Sequence, residues 1–227
     1  VKFGAAAFMT DARQARALAQ SIVNLAGECG VKTTALLTGM DAPLGRAAGN
    51  WLEVQEAVAC LEGNGPEDLE KLVIACATHL PGGDAECARE ELASGRPRAK
   101  FDDLLAAQGA DLDEFAAKLK KDSIALVIKE FVSPIGGFVK QCDARIIGEL
   151  VRDFGGGRLD QDSVIQTEVG VDQLCRHGSA VRAGEVLGRV HAMTEEGAAT
   201  AFGRLSEAIE ISTEPPELPV LVADVVE

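Results

Sequence analysis

Residues Val1–Met40 read V-K-F-G-A-A-A-F-M-T-D-A-R-Q-A-R-A-L-A-Q-S-I-V-N-L-A-G-E-C-G-V-K-T-T-A-L-L-T-G-M, and this stretch sets the fold class. Residues 1–4 read as the end of a buried strand running into a Gly turn. Asp11 then opens a helix whose apolar positions Ala15, Leu18, Ala19, Ile22, Val23 and Ala26 recur with the helical period, ending near Gly30. Val31 to Thr38 carries β-branched residues and a Leu pair, the composition of a strand. Strand, helix and strand with short links make a βαβ unit. Its two strands run parallel because the crossover helix returns the chain to the starting end.

Outward from this unit the sequence predicts more helix. Asn50 is placed to cap a helix through Leu61. Gly65-Pro66 opens another, with Pro at the first helical position and Glu67 and Asp68 at the positively polarised end. Leu69, Leu72, Val73, Cys76 and Leu80 form its expected buried stripe, and Pro81-Gly82-Gly83 stops it. Amphipathic helices follow around 84–94, 100–108 and 111–120. After Lys121 the texture changes: strands are expected at 123–130, 134–140, 164–169, 179–181, 186–192 and 220–225, with helices at 143–152 and 195–211. The fold class is α/β, with an α/β unit over 1–120 and a small α+β unit over 121–227.

Composition excludes several functions. Lys and Arg number 22 against 36 Asp and Glu, a net charge of −14, and an acidic body repels phosphate backbones and anionic membranes. Nucleic acid and membrane are therefore not expected partners. No apolar run approaches a membrane span and no signal peptide is visible, so a cytoplasmic protein is expected. Cys29, Cys60, Cys76, Cys87, Cys142 and Cys175 contain no C-x-x-C pair. Their expected state is reduced thiols behaving as small hydrophobes. His79, His177 and His191 have no Ser, Asp or metal-type partner nearby in sequence and read as surface or packing residues. Gly155-Gly156-Gly157-Arg158 lacks the spacing and Lys of a phosphate loop, and reads as a turn after a helix.

Two blocks are more specific. K-F-G-A-A-A-F-M (Lys2–Met9) resembles the K-x-G-x-G-A-F-M segment of the pyrimidine nucleoside phosphorylases, the thymidine phosphorylase family, with Ala6 in place of the second Gly. The resemblance continues through L-L-T-G-M-D-A-P-L-G-R-A-A-G-N-W-L-E-V-Q-E-A (Leu36–Ala57), G-N-G-P-E-D-L (Gly63–Leu69), G-G-G-R (Gly155–Arg158) and A-G-E-V-L-G-R-V-H-A (Ala183–Ala192). It implies that 1–120 is the C-terminal part of the phosphate-binding α/β domain. Residues 121–227 then correspond to the family's C-terminal α+β domain, with a barrel-sandwich-like core.

The implied parent reaction is reversible cleavage of thymidine or uridine by phosphate, yielding the base and a (2-deoxy)ribose 1-phosphate in nucleoside salvage. Its partners are a pyrimidine nucleoside and phosphate, and the parent is a homodimer paired through its N-terminal lobe. The chain is expected to be the back half of such an enzyme, since the family's K-H-S-x-G-G phosphate loop and S-x-x-S-K-K segment lie upstream of Val1. No catalytic residue is assigned, and the isolated chain is expected to be inactive. Phe8 matches the residue that packs beside the pyrimidine. Leu44 and Ala47 match members offering backbone carbonyls to a monovalent cation such as K⁺, and Glu56 matches its carboxylate ligand. Hard oxygen donors suit such an ion. No cofactor is required.

Other readings come from different classes. S-P-I-G-G-F-V (Ser133–Val139) and V-R-A-G-E-V-L-G-R-V-H-A-M-T (Val181–Thr194) resemble the two halves of a biotinyl/lipoyl barrel. Thr194 stands where a carrier needs its acylated Lys, and a hydroxyl cannot form that amide, leaving a structural or interaction module. A phosphorylase acting on nucleoside monophosphates is the alternative within the family.

Overall fold

Parallel pairing opens the chain in the computed structural model, which describes residues 1–227. Strands β1 (Lys2–Phe3) and β2 (Ala35–Gly39) lie side by side, with Lys2 opposite Thr38 and Phe3 opposite Gly39. Helix α1 (Ala12–Glu28) crosses between them. The Asp11 carboxylate caps it, accepting from the N–H groups of Arg13 and Gln14 that would otherwise lack partners. Of the six positions expected on its buried face only Ala15 and Ala19 are sealed, both at 0% exposure. Leu18 and Ile22 are exposed, as is Leu25. The small alanines let the helix lie close on β2, and the larger residues form a separate outward face.

The sheet is completed from the far end of the chain. Strand β9 (Val222–Val226) pairs antiparallel with β2, placing Val226 opposite Ala35, so the order is β1-β2-β9. Ala15, Ala19, Ala35, Leu37 and Val226 are its core. The last strand therefore crosses the 120/121 division and belongs to the first sheet.

Five helices follow β2: α2 (Asn50–Leu61), α3 (Glu67–Thr78), α4 (Ala85–Ala93), α5 (Arg96–Ala107) and α6 (Leu112–Leu119). Phe115 packs edge-on against Trp51 and also meets Phe101, tying α6 to α2 and α5. Three local expectations are corrected. Gly49, not Asn50, is the residue before the first helical turn of α2, and the Asn50 amide instead donates to the Gly156 carbonyl at 2.6 Å. Pro66 precedes α3 rather than opening it. Ile74 is the buried residue of α3, while Val73, Cys76 and Leu80 face solvent.

The remaining chain folds as β3 (Val127–Val132), β4 (Gly137–Cys142), α7 (Ala144–Val151), a π-helical turn (Arg152–Gly156), β5 (Gly170–Asp172), β6 (Ala180–Val181), β7 (Val186–Ala192), α8 (Glu195–Ala208), β8 (Ile209–Ser212) and β9. Two antiparallel three-stranded sheets result, ordered β3-β7-β5 and β6-β4-β8. Val139, Ile147, Leu150, Val171, Val190 and Leu205 bring both sheets, α7 and α8 into one core. The strand expected at 164–169 is irregular, and pairing begins only at Gly170. The helix expected to reach Ile211 stops at Ala208, because I-E-I-S alternates with strand period and pairs with β4. No helix is long and apolar enough to cross a membrane.

The two parts meet along the β2–α2 connection. Ala48 and Val171 exchange both backbone hydrogen bonds at 2.8 Å. Gly49 sits beside them at φ +137, where an added Cβ would lie 2.5 Å from the Val169 carbonyl oxygen. Glycine is needed there for both reasons.

Candidate functional site

Two loops leave the carboxyl ends of parallel β1 and β2, the position where α/β sheets build their sites. The Met40 N–H donates to the Phe3 carbonyl at 2.7 Å, the Ala6 N–H to the Met40 carbonyl at 3.2 Å, and the Ala5 N–H to Asp41 Oδ1 at 2.9 Å. Gly4, at φ +120, lets the first loop close against the Asp41 carboxylate. This clamped turn carries Phe8 outward with a fully exposed ring, 105% of its reference accessibility. An exposed Phe on a fixed turn is a flat apolar face held ready for another flat group.

The second loop makes the turn Pro43–Ala47 over α2. The Arg46 N–H donates to Glu56 Oε1 at 2.6 Å, and the Ala47 N–H also reaches this carboxylate. Gly45 is at φ +76, and a Cβ there would collide with Glu56. The Arg46 guanidinium bonds Asp68 at 3.2 Å and its neighbour's Gly45 carbonyl, pinning the turn to α3. Burial pushes the Glu56 carboxyl up. The N–H donors and the Arg46 charge oppose this only in part, and the nearby Asp68 charge adds to it. The carbonyl oxygens of Leu44 and Ala47 accept no hydrogen bond. Leu44, Ala47 and Glu56 are thus gathered at one turn, with two unengaged carbonyls beside a half-buried carboxylate. Phe8 lies on the other loop and shares no hydrogen bond with them.

Two further clusters escaped the sequence. His191 is completely buried, with Nδ1 3.0 Å from Ser123 Oγ and Nε2 2.9 Å from Asp172 Oδ1. Its partners arrive from the linker and from β5, so the reading of an isolated histidine is corrected. Arg189 joins Asp172 through Nε at 2.9 Å and Nη2 at 2.6 Å, and reaches Asp122 on the linker. Burial pushes the Asp172 carboxyl up, but hydrogen bonds from Arg189 and His191 and their charges outweigh it, leaving the group below its ordinary range. The imidazole is shut from solvent and the Ser123 oxygen already accepts from the Ala125 N–H. The network ties the linker to β5 and β7 and offers no free nucleophile.

The other cluster is a pair of cysteines. A cavity of about 230 Å³ opens between the β2–α2 loop, the end of β4, the segment after β5 and residues 218–221. Cys142 and Cys175 line it together with Asp41 and Arg46. Of the six thiols only Cys60 and Cys142 are buried; Cys29, Cys76 and Cys87 are exposed, against the expectation of core packing. Helix period alone cannot tell which side of a two-layer helix finds a neighbour. Gly155 and Gly156 lie in the π-helical turn that ends α7, with Gly155 at φ +91, and build no cradle for an anion.

Thr194 caps α8 by accepting from the Gly197 N–H at 3.0 Å. The position a carrier would use for its acylated Lys is therefore the start of a helix, not a hairpin tip.

Comparison with known proteins covers nearly the whole chain. Residues 138–212 match the family described as pyrimidine nucleoside phosphorylase C-terminal domain. A thymidine phosphorylase of Colwellia psychrerythraea is 37% identical over 233 residues, covering 98% of this chain and 53% of that protein. A pyrimidine-nucleoside phosphorylase of Geobacillus stearothermophilus is 34% identical over 233 residues, covering 99% of this chain and 53% of its own length. A thymidine phosphorylase of Mesorhizobium japonicum is 37% identical, with 95% and 52% covered. The chain spans about half the length of the curated relatives it matches.

Proposed function

Because the chain belongs to the thymidine phosphorylase and pyrimidine-nucleoside phosphorylase family, we propose that it supplies the pyrimidine-side wall and a cation turn to a phosphorolytic enzyme. The reaction is pyrimidine nucleoside plus phosphate giving free base and pentose 1-phosphate, run in the cytoplasm by a homodimer. The observation that carries this reading is the match along 95–99% of the chain to relatives bearing those names.

Phe8 is read as the face on which the pyrimidine ring stacks. Its exposure on a turn clamped by Met40 and Asp41 supports that role, since a pre-positioned ring loses little freedom when a base lands on it. Leu44 and Ala47 carbonyls with the Glu56 carboxylate are read as the share of a K⁺ site contributed here. Their donor chemistry fits a hard monovalent cation. When bound, such an ion would offset the buried charge of Glu56 and stiffen the Pro43–Ala47 turn. The two facing sheets of the second unit are read as a barrel-sandwich core that buttresses this turn through Ala48 and Leu174, whose N–H donates to the Arg46 carbonyl at 3.0 Å.

Phosphorolysis also needs cationic and N–H donors for phosphate, and closure against water. The 227 residues contain no Lys-bearing Gly loop of that kind. The polypeptide on its own is therefore expected to release no thymine or uracil from the nucleosides. Supplying the remaining segment of a relative, by fusion or mixing, is expected to create phosphate-dependent release, and Phe8→Ala to raise KM for the nucleoside more than for phosphate. Base release by the unassisted 227 residues, or equal activity of the Phe8→Ala fusion, overturns the assignment.

A further inference from the structure

Cys142 ends β4, opposite Ile209, and directly precedes the capping Asp143 of α7. Cys175 follows β5, and its N–H donates to the Leu187 carbonyl of β7 at 2.8 Å. Their backbones are thus fixed to different sheets of one core. Cys142 is 1% exposed and Cys175 half-buried, and both open on the 230 Å³ cavity beside Arg46. The two thiols are hydrogen-bonded to each other. Cys29, Cys76 and Cys87 sit instead on exposed ends and faces of first-unit helices.

We propose that Cys142 and Cys175 form a reversible redox-modification site, in which a hydroperoxide entering the cavity converts the two thiols into a disulfide joining β4 to the segment after β5. Cys175 is the attacking sulfur and Cys142 the resolving one. The hydrogen bond from Cys142 draws the Cys175 thiol below its ordinary range, against the effect of burial and with help from the Arg46 charge. The same contact and near-complete burial push the Cys142 thiol up. In the first step the Cys175 thiolate attacks a peroxide oxygen. The O–O bond breaks, and the departing hydroxide takes the thiol proton as water. In the second step the Cys142 sulfur displaces the hydroxyl of the sulfenic acid, and its proton leaves with that hydroxide as a second water. Two thiols are oxidised by two electrons, and hydrogen peroxide is reduced to two waters.

Closing the bond draws the Cys175 backbone toward β4. Leu174, the preceding residue, donates to the Arg46 carbonyl, so the strain reaches the Pro43–Ala47 turn. Oxidation state and the shape of that turn are thereby linked. This proposal does not depend on the phosphorolytic reading.

The test uses the full chain. Protein treated with hydrogen peroxide, then blocked with N-ethylmaleimide, is digested without reductant and mapped by mass spectrometry. The expected result is one linked pair of peptides carrying Cys142 and Cys175, two hydrogens lighter than the thiols and restored by dithiothreitol. Cys142→Ser should instead leave a sulfenic acid at Cys175 that dimedone labels. A second measurement needs no variant: phenylarsine oxide should bridge both thiols of the native protein, protecting them together from maleimide. Sulfinic acid at Cys175 with no linked peptide in the native protein, linkage only in urea, or failure of the arsenical to bridge the pair each overturns the proposal.

Discussion

Glu56 holds an unusual position for a carboxylate, since it is half-buried and serves mainly as an acceptor for the backbone of a turn. Its folded form binds a proton more tightly than the unfolded chain does. It therefore favours folding below the ordinary Glu value of about 4.3, and that contribution is lost as pH rises through its higher folded value. A cation that prefers the ionised form should recover stability at neutral pH. Potassium chloride is expected to stabilise the protein by about 1 kcal/mol over tetramethylammonium chloride of equal ionic strength. The difference should vanish in Glu56→Gln, and thermal melts in the two salts check it. Asp172 has the opposite sign. Its lowered folded value gives stability that is complete above the unfolded Asp value of about 3.9 and is lost as pH falls through the folded one. Asp172→Asn should cost about 3 kcal/mol at pH 7 by stranding Arg189 and His191. Urea titrations of the two proteins should converge in acid. At this scale the cation turn was legible because Leu44, Ala47 and Glu56 lie within one short stretch of sequence. The Ser123–His191–Asp172 network was not, since Ser123 lies 68 residues from His191 and only the folded sheet brings them together.

Among elements, long amphipathic helices and β7 were readable from period, and the βαβ start was readable from its links. What failed was local competition. Ile209-Glu-Ile-Ser continues a helix on paper, yet its alternation lets it pair with β4, and sheet pairing won. Residues 164–169 look strand-like because they are apolar and β-branched, but their donors and acceptors serve other segments: Trp51 donates to the Thr167 carbonyl. The seam between the units depends on a glycine that no pattern singles out. Gly49→Ala must place a side chain at a positive φ and against the Val169 carbonyl. It should cost about 2 kcal/mol from backbone conformation, before any clash is added. Chemical denaturation is expected to show this as a lower midpoint. An unchanged midpoint would mean that the Ala48–Val171 bridge is not held as described.

For the molecule as a whole, an outward apolar face remains on the first unit. Leu18, Ile22 and Leu25 of α1 and the nearby Phe8 are exposed on a protein whose surface is otherwise strongly acidic. Faces of this kind drive association. Light scattering after size exclusion is expected to show mass rising with protein concentration, and Ile22→Lys with Leu25→Lys to suppress the rise. A single monomeric mass throughout would count against an adhesive face. Sequence indicated the amphipathic helix but not which of its apolar residues would be covered, because that depends on what is packed nearby.

The return of β9 to β2 also bears on the order in which the protein can be made. A ribosome delivers β2 early and β9 only after the entire second unit has emerged. Until then the β2 edge that will face Val226 stays unpaired, and Leu37 lacks part of its cover. The first unit thus cannot finish folding by itself during translation. Its completion waits on a pairing of very high sequence separation, the kind that is slow to form. Nascent chains halted after the second core but before Val222 should be more open to proteolysis at β2 than chains released in full.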